Sequence, residues 1–293
     1  MSRLSLIGHM LLERFFPGDD ERVPEPELVM ASREQASSFL AAGREDGVIA
    51  PTYLFHTLQL IRLIRPGWLV LDLACGPANQ LAQVARIRSD AQFLGVDASG
   101  SMLDLARRTA EDAGLDNVRF EEAYVQALDM IGDASVDMVM STMSLHHLPD
   151  YSSLEATFEE ARRVLKPGGG LYLADFGRLS RDSTRQFFAH THAEQQSALF
   201  TVDYLNSLRA AFSTREFEEA MKVLGHDVRL LKTGIIPFMV VICRGEEREP
   251  GKEMMKRCAK IYESMSGEQR QDFDDLVRFF RMGGATVPRP SFS

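Results

Sequence analysis

The sequence predicts an α/β fold in which a doubly wound parallel sheet is covered by helices on both faces. Strands and helices alternate between residues 67 and 177, which is typical of such a sheet. A buried strand at 69–74 runs into a glycine turn, and the next strand ends at an acid, Asp97. Two further strands, 228–232 and 237–244, follow without a helix between them and close the sheet.

Each element follows from its own pattern of apolar residues. Before the sheet, helical spacing predicts helices over 4–16, 27–42 and 51–64, with Pro24–Pro26 and Pro66-Gly67 as breaks. Within the sheet region the patterns predict strands 69–74, 92–97, 118–120, 136–141 and 170–176 and helices 81–87, 99–113 and 153–165.

The remaining segments are mostly helical. Residues 178–211 break the alternation, and 214–224 form an amphipathic helix that Ser213 caps, with Glu216 at capping-box spacing. Beyond the last strand, apolar stripes predict two more helices. The stripes consist of Met254, Met255, Cys258, Ile261, Tyr262 and Met265, and of Phe273, Leu276, Val277 and Phe280. We therefore divide the chain into a helical N-terminal cap (1–66), a core (67–245) with a helical lid insertion (178–211), and a helical C-terminal extension (246–293).

The segment Val70–Gln80 and the acid Asp97 together predict a nucleotide-binding crevice. A strand, a glycine turn that opens a helix, and an acid after the next strand place a ligand at the carboxyl ends of the strands. Gly76 lets the backbone turn tightly, since it has no Cβ. One carboxylate at position 97 is able to accept hydrogen bonds from both hydroxyls of a ribose.

Four motifs in order resemble those of the class I S-adenosylmethionine-dependent methyltransferases. They are Asp72-Leu-Ala-Cys-Gly-Pro-Ala78, Gly95-Val-Asp-Ala-Ser99, the strand and following segment Val136–Pro149, and the helix, turn and strand Ala161–Leu173. The resemblance covers residues 68–177 well and continues more loosely to about 245. It implies a Rossmann-like sheet, mostly parallel with a final antiparallel strand, and S-adenosylmethionine as the cofactor.

The resemblance also implies which residues bind the cofactor. All of them lie at or just beyond strand ends: Asp72, Ala74, Cys75, Gly76, Asn79, Asp97, Ala98, Met102, Tyr124, Val125, Ser141, Thr142 and His147. Two departures from the family pattern concern this set. Ala78 replaces a glycine, so we expect the turn there to use ordinary backbone angles. Tyr124 and Val125 stand where the family often has an acid for adenine, so backbone groups or Gln126 are the alternative donors and acceptors.

The expected activity is transfer of a methyl group to an O, N, S or C atom of a small molecule held under the lid. Candidate acceptor-binding residues are Tyr53, His56, His146, Arg178, His190 and Tyr204. No residue is assigned as catalytic, and no metal is expected. The competing function is a protein of the same fold that binds the donor without turnover or performs other chemistry on it. A nicotinamide dinucleotide site is disfavoured, because the first loop has one glycine where that fingerprint needs three.

The composition disfavours several classes of binding partner. The net charge is −9 without a basic run, which argues against nucleic acid. Three scattered cysteines fit neither a disulfide framework nor a zinc site. No apolar stretch reaches the ~20 residues that a membrane helix needs, so we expect a cytoplasmic protein without membrane contact. The C-terminal stripes need burial, either on the core or in a homodimer.

Overall fold

A computed structural model describes residues 3–18, 21–26, 33–43 and 47–288. Its centre is a seven-stranded sheet in the order β3-β2-β1-β4-β5-β7-β6. The strands are β1 Leu69–Leu73, β2 Gln92–Asp97, β3 Val118–Glu122, β4 Val136–Thr142, β5 Leu165–Phe176, β6 Arg229–Lys232 and β7 Met239–Arg244. Strands β1 to β5 are parallel, while β7 is antiparallel to both β5 and β6. The predicted fold class is confirmed.

Helices cover both faces of the sheet and extend over its carboxyl edge. They are α1 Arg3–Phe15, α2 Arg33–Ala42, α3 Ala50–Leu63, α4 Asn79–Ile87, α5 Gly100–Asp112, α6 Tyr151–Val164, α7 Asp182–His190, α8 Ala198–Ala210, α9 Thr214–Ala220, α10 Lys252–Ser264 and α11 Gly267–Met282, with short 3-10 turns at Leu145–His147 and Met221–Leu224. The predicted capping box at Ser213 and Glu216 is present. Residues 27–32 of the helix predicted over 27–42 lie outside the described ranges.

One predicted strand is longer than expected. Strand β5 begins at Leu165 rather than at residue 170, and its pairing with β4 shifts register between Val136 and Met138. The Lys-Pro-Gly-Gly segment therefore lies within β5 as an irregularity opposite Val136–Met138, and its Gly168 has a left-handed φ of 73°.

The strand order reverses beside β1, and this reversal determines where a ligand binds. Asp72 in β1 is in register with Gly95 of β2 on one side and with Met140 of β4 on the other. Open α/β sheets bind ligands outside the carboxyl ends of the strands at such a reversal, because the loops diverge there and leave a crevice.

The C-terminal helices pack on the core. Phe280 of α11 stacks on Phe55 of α3 with ring centroids 4.6 Å apart, and both are buried. Cys258 and Ile261 of α10 belong to the same apolar cluster. The apolar stripes thus pack within one chain. Their burial does not require a partner, and a homodimer through these helices stays a prediction. In the described part of the chain, no helix is both long and apolar enough to span a bilayer.

Candidate active site

Two cavities open at the carboxyl edge of the sheet and adjoin each other. The first, of about 180 Å³, lies at the strand-order reversal between the ends of β1, β2 and β4. The second, of about 490 Å³, lies between the sheet edge and helices α7, α8 and α11. Tyr53, Met143 and His147 line both. These three side chains therefore form the boundary between the two cavities.

The loop after β1 forms the floor of the first cavity with a left-handed backbone. Ala74, Gly76 and Ala78 have φ angles of 53°, 52° and 62°. The expectation that Ala78 uses ordinary backbone angles is wrong. Ala78 is buried between the strand end and the first turn of α4, so its surroundings hold it in a conformation that costs an alanine of order 1 kcal/mol.

The lack of a side chain at Gly95 lets this loop pack closely against β2. A Cβ at Gly95 would lie 2.8 Å from Cys75 Sγ and 2.9 Å from the Phe120 ring. At Gly76, by contrast, a Cβ would meet nothing within 4 Å. The backbone at Gly76 therefore borders open space.

Asp97 ties the first loop to the end of β2. Its Oδ2 accepts a hydrogen bond from the Gly76 N–H at 2.8 Å, and its Oδ1 accepts one from the Ser99 N–H at 2.9 Å. Burial raises the pKa of Asp97, although the two N–H donors oppose the shift. The cap of α5 is Ser99, whose Oγ accepts from the Met102 N–H. Asp97 thus does not serve as the helix cap, and each of its oxygens keeps a further lone pair for a ligand.

Asp72 is a second carboxylate in the first cavity. It is 2% exposed, and burial, followed by the nearby Asp97 charge, raises its pKa well above the usual range. Burial and the Asp72 charge likewise raise the pKa of Tyr53. Asn79, at the start of α4, donates through Nδ2 to the Leu40 carbonyl at 3.2 Å. The N-terminal cap is thereby fastened to the rim of this cavity.

Most of the predicted cofactor residues line the first cavity. These are Asp72, Ala74, Cys75, Gly76, Asn79, Asp97, Ala98, Met102, Tyr124, Val125, Thr142 and His147. Ser141 does not line it. Ser141 is fully buried, donates through Oγ to the Leu73 carbonyl at 2.9 Å and contacts Ser144 Oγ at 2.6 Å, so it fastens β4 to β1. Gln126 also lines the first cavity, as do Tyr124 and Val125.

The charge of the first cavity selects the kind of ligand. Among its described lining residues are two carboxylates but no lysine or arginine. A pyrophosphate would place its negative charges near Asp72 and Asp97 without a counter-charge. A ligand with a positive charge would be stabilised instead.

Seven Phe and Tyr side chains are among the described residues that line the second cavity. Ring centroids are 5.6 Å apart between Phe176 and Tyr204 and 6.2 Å apart between Tyr204 and Phe200. Phe238 lies within 6 Å of two further rings, those of Phe188 and Phe279. The lid helix α8 and the C-terminal helix α11 both supply residues to its walls.

Three of the predicted acceptor residues, Tyr53, His146 and Tyr204, line the second cavity. The other three lie outside both cavities. His56 is fully buried against the Tyr172 hydroxyl at 2.8 Å, and burial lowers its pKa to about 3, so it is a neutral core residue. Arg178 lies 3.6 Å from Glu216 at the start of α9. His190 is exposed at the end of α7, bonded to the Gln186 carbonyl.

His146 and Asp175 form a buried dyad at the wall of the second cavity. His146 Nδ1 lies 2.7 Å from Asp175 Oδ1, and Asp175 Oδ2 accepts the His146 backbone N–H at 2.8 Å. Because a carboxylate only accepts, Nδ1 carries the proton and Nε2 keeps its lone pair. Burial alone would lower the pKa of His146, but the Asp175 carboxylate and Glu25 together raise it.

His147 stacks on His146 with ring centroids 4.4 Å apart. Burial, followed by the His146 charge, lowers the pKa of His147 well below its usual value. The residue at the junction of the cavities is therefore neutral at physiological pH. Ligand atoms of Glu25, His146 and His147 lie within 4.8 Å of one another, which is the spacing of a candidate metal site. The expected absence of a metal stays a prediction.

The segment 21–26 packs against the 3-10 turn Leu145–His147, which we call the histidine turn, and holds it through Arg22. Arg22 donates to the carbonyls of His146 at 3.1 Å, Pro149 at 2.7 Å and Ala210 at 2.7 Å. Its guanidinium also lies 4.0 Å from the centre of the Phe212 ring. One side chain thus connects the N-terminal cap, the histidine turn and the end of the lid.

Sequence reasoning missed three parts of the site: Asp175, Glu25 and the contribution of α11. Asp175 follows the rule that identified Asp97, an acid at the carboxyl end of a parallel strand. Glu25 and α11 carry no such signal, since they reach the site only through tertiary packing.

The residues that line the first cavity, apart from Tyr53, lie in a region of the chain that is similar to known proteins. Residues 70–169 match a family model described as a methyltransferase domain. The 27-O-demethylrifamycin SV methyltransferase of Amycolatopsis mediterranei is 35% identical over 129 residues, which are 43% of this chain and 45% of that protein. The ubiquinone biosynthesis O-methyltransferase of Paracidovorax citrulli is 30% identical over 134 residues, 42% of this chain and 54% of that protein.

Among solved structures, the complex between the Haloferax volcanii Trm112 methyltransferase activator and a putative methyltransferase contains a similar chain. It has a TM-score of 0.50 and 19% identity, covering 74% of this chain and 100% of that one. At that identity the likeness concerns the fold alone. The chain spans about half the length of the two curated relatives named above. The walls of the second cavity lie mostly outside the matched residues.

Proposed function

Because residues 70–169 form a methyltransferase domain of the class I S-adenosylmethionine-dependent family, we propose that this protein methylates a small molecule bound in the second cavity. The observation that carries the proposal is the junction at Tyr53, Met143 and His147, where the two cavities meet. A donor in the first cavity and an acceptor in the second would face each other there, and such positioning by itself lowers a reaction barrier by several kcal/mol.

The residues of the first cavity fit S-adenosylmethionine. Asp97 would accept hydrogen bonds from the ribose hydroxyls, and Ala98, Met102 and Val125 would contact the adenine side. The carboxylates and the lack of a lysine or arginine among the described lining residues suit a ligand with a sulfonium and an ammonium group. When bound, this cofactor supplies an electrophilic methyl group and leaves as the neutral thioether S-adenosylhomocysteine.

The dyad supplies the means to move a proton. Asp175 holds the Nδ1 proton of His146, so Nε2 accepts the proton that the acceptor's O–H or N–H gives up as its lone pair bonds to the methyl carbon. Asp175 then stabilises the resulting imidazolium. His147, kept neutral by burial and by His146, contacts both partners without repelling the positive charge of the donor.

The second cavity also favours turnover over donor binding alone. A protein that only binds the donor needs no separate space beside it, whereas this cavity has room for another molecule. The arrangement therefore supports transfer to a second substrate.

Two measurements test the proposal. Calorimetric titration should give saturable binding of S-adenosylmethionine and S-adenosylhomocysteine. Incubation with S-adenosylmethionine and pools of small metabolites should produce S-adenosylhomocysteine only when a pool contains an acceptor. If neither ligand binds, the proposal fails. If both bind and every pool stays inactive, donor binding without turnover is the better description.

A further inference from the structure

The second cavity is richer in aromatic rings than the first. Phe and Tyr make up seven of its 27 described lining residues, whereas the 23 described lining residues of the first include only Tyr53 and Tyr124. Phe, Trp and Tyr together are 9% of the chain, so the rings are concentrated in the second cavity beyond what the composition would give. The rings therefore distinguish the space of the acceptor from the space of the donor.

One series of these rings begins at the His146–Asp175 dyad. Ring centroids are 5.3 Å apart between His146 and Phe176, 5.6 Å between Phe176 and Tyr204, and 6.2 Å between Tyr204 and Phe200. All four of these rings belong to residues that line the second cavity. A flat ring that lies among them makes aromatic contacts, each of which strengthens binding roughly two- to tenfold beyond the burial of apolar area.

Acids that α11 contributes to the walls interact with other groups of the protein. Asp272 lies 3.1 Å from the His192 ring, and Glu268 accepts a hydrogen bond from Gln195 at 2.6 Å. No charge on the acceptor follows from these acids. The selection of a ligand therefore depends on the rings and on the base at one end of their series.

That base is a mild one. An imidazole has an ordinary pKa of about 6.5, whereas the phenol of tyrosine has a pKa of about 10 and water one of about 15.7. A phenolic proton therefore moves to an imidazole with an equilibrium constant of roughly 10⁻³ to 10⁻⁴. For an aliphatic hydroxyl, which is about as acidic as water, the constant is roughly 10⁻⁹. A histidine base is thus suited to an aromatic hydroxyl.

Resting on the proposed methyl transfer, we infer that the acceptor is a phenolic hydroxyl on an apolar frame of more than one ring. The hydroxyl lies at His146, the ring that carries it lies against Phe176, and the rest of the frame extends along Tyr204 and Phe200. The second cavity, at about 490 Å³ against about 180 Å³ for the first, has room for such a frame.

The step balances without a further reactant. The hydroxyl proton passes to His146 Nε2 while an oxygen lone pair forms the new O–C bond to the methyl group. The C–S bond of the donor breaks, and its electron pair stays on sulfur. The products are an aryl methyl ether, S-adenosylhomocysteine and an imidazolium, which returns its proton to solvent.

Three alcohols test how the frame is recognised: 2-naphthol has two aromatic rings, decahydro-2-naphthol has the same skeleton without aromaticity, and phenol has one ring. Their dissociation constants are measured by calorimetry with saturating S-adenosylhomocysteine. We expect 2-naphthol to bind at least about tenfold more tightly than either of the others, because two or more ring contacts contribute. Equal or tighter binding of decahydro-2-naphthol or phenol overturns the inference, as does failure of all three to bind.

Variants assign the preference to the ring series. Phe200→Leu and Tyr204→Leu should each weaken 2-naphthol binding about two- to tenfold and leave decahydro-2-naphthol within twofold, since leucine keeps the apolar wall but not the ring. Tyr204→Phe keeps the ring and should keep the preference. Phe15→Leu, at an exposed residue of α1, is the matched control. A preference for 2-naphthol that survives both leucine variants contradicts this assignment.

A fourth probe tests the hydroxyl. The compound 2-naphthalenemethanol has the same two rings as 2-naphthol but an aliphatic hydroxyl. With S-adenosylmethionine, we expect 2-naphthol to yield S-adenosylhomocysteine and 2-methoxynaphthalene at least about 100-fold faster than 2-naphthalenemethanol yields its ether. Equal rates, or no turnover of 2-naphthol that binds, overturn the inference.

Binding of S-adenosylhomocysteine is measured first and separately. Its failure contradicts the proposed function, and the binding probes without it then still report whether the second cavity prefers aromatic frames. If it binds and the saturated probe is preferred, the proposed function stands and only the inferred acceptor is wrong.

Discussion

The two cavities differ in how the chain builds them. The described lining of the first comes from residues 72–149 and a single side chain of α3, Tyr53. The second draws on α1, α3, the lid, β7 and α11, with lining residues as far apart in the chain as Leu6 and Phe279. Only Met143, His146 and His147 of its lining fall within the residues that match the methyltransferase model.

This difference separates what is shared with relatives from what is particular to this chain. Loops that follow consecutive strands stay together whenever the sheet forms, so one domain suffices to make the first cavity. The second cavity exists only if the cap, lid and C-terminal helices pack on that domain. Changes to the first should affect every ligand of the donor type, and changes to the second should affect the acceptor alone.

The largest expected effect separates proton transfer from donor binding. His146→Asn should lower turnover by about 10²- to 10⁴-fold, the usual contribution of a general base. Affinity for S-adenosylhomocysteine should stay within a few fold, because His146 lines only the second cavity. Initial rates and calorimetry measure the two quantities, with the exposed His226→Asn as the control.

Unchanged turnover in His146→Asn would remove the base from the mechanism. Loss of wild-type turnover on dialysis against EDTA, restored by Mn²⁺, would instead identify Glu25, His146 and His147 as a metal site.

A second change tests whether α11 is part of the core that supports the second cavity. Phe280→Ala should lower the free energy of unfolding by about 3–5 kcal/mol, since it empties a buried ring site beside Phe55. Urea denaturation measures this loss, and Phe15→Ala, at a residue that is 68% exposed, should change the free energy of unfolding little. A variant that keeps its stability but changes its oligomeric state would mean that α11 belongs to an interface between copies.

A third change concerns the first cavity alone. Asp97→Ala should weaken S-adenosylmethionine and S-adenosylhomocysteine alike by roughly 10- to 100-fold, through loss of charged hydrogen bonds worth about 1.5–3 kcal/mol. The variant also frees the Gly76 and Ser99 N–H groups, so its melting temperature is recorded beside the titration. Asp112→Ala is the control, and wild-type affinity in Asp97→Ala would mean that the ribose does not bind at this carboxylate.

The smallest expected effect is the dependence of turnover on pH. Because Asp175 and Glu25 together outweigh burial, the pKa of His146 lies above 6.5. The imidazole acts as a base only when deprotonated, so turnover should rise about tenfold per pH unit below that pKa and level off above it. Asp175→Asn removes the main stabilising charge and should move this limb to lower pH. A limb that stays in place would show that another group titrates.

The sequence predicted those parts of the site whose functional residues directly follow a strand in the chain. Gly76 and Asp97 follow strands directly, and the structure joins them by a hydrogen bond of 2.8 Å. Asp175 also ends a strand, but its position does not reveal whether the carboxylate faces solvent, a cavity or the histidine turn. Asp272 and Asp275 lie on the polar side of an amphipathic helix, where acids are ordinarily solvated.

Ala78 marks a different limit. The steric rule for alanine predicted ordinary angles, whereas the packed strand and helix on either side hold it at φ 62°. A local preference worth about a kilocalorie gives way when the tertiary structure on both sides is already fixed.

The Arg22 clamp has a consequence for anyone who transplants this domain. A chimera that grafts residues 70–169 into a foreign scaffold would carry the histidine turn but not the guanidinium that holds the carbonyls of His146 and Pro149. These carbonyls would then lack the donor that Arg22 provides, unless a side chain of the new scaffold replaced it. A working graft needs residues 21–26 and also Asp175 at the end of β5, which holds the backbone and ring of His146, although nothing in the family motifs would tell the designer to include them.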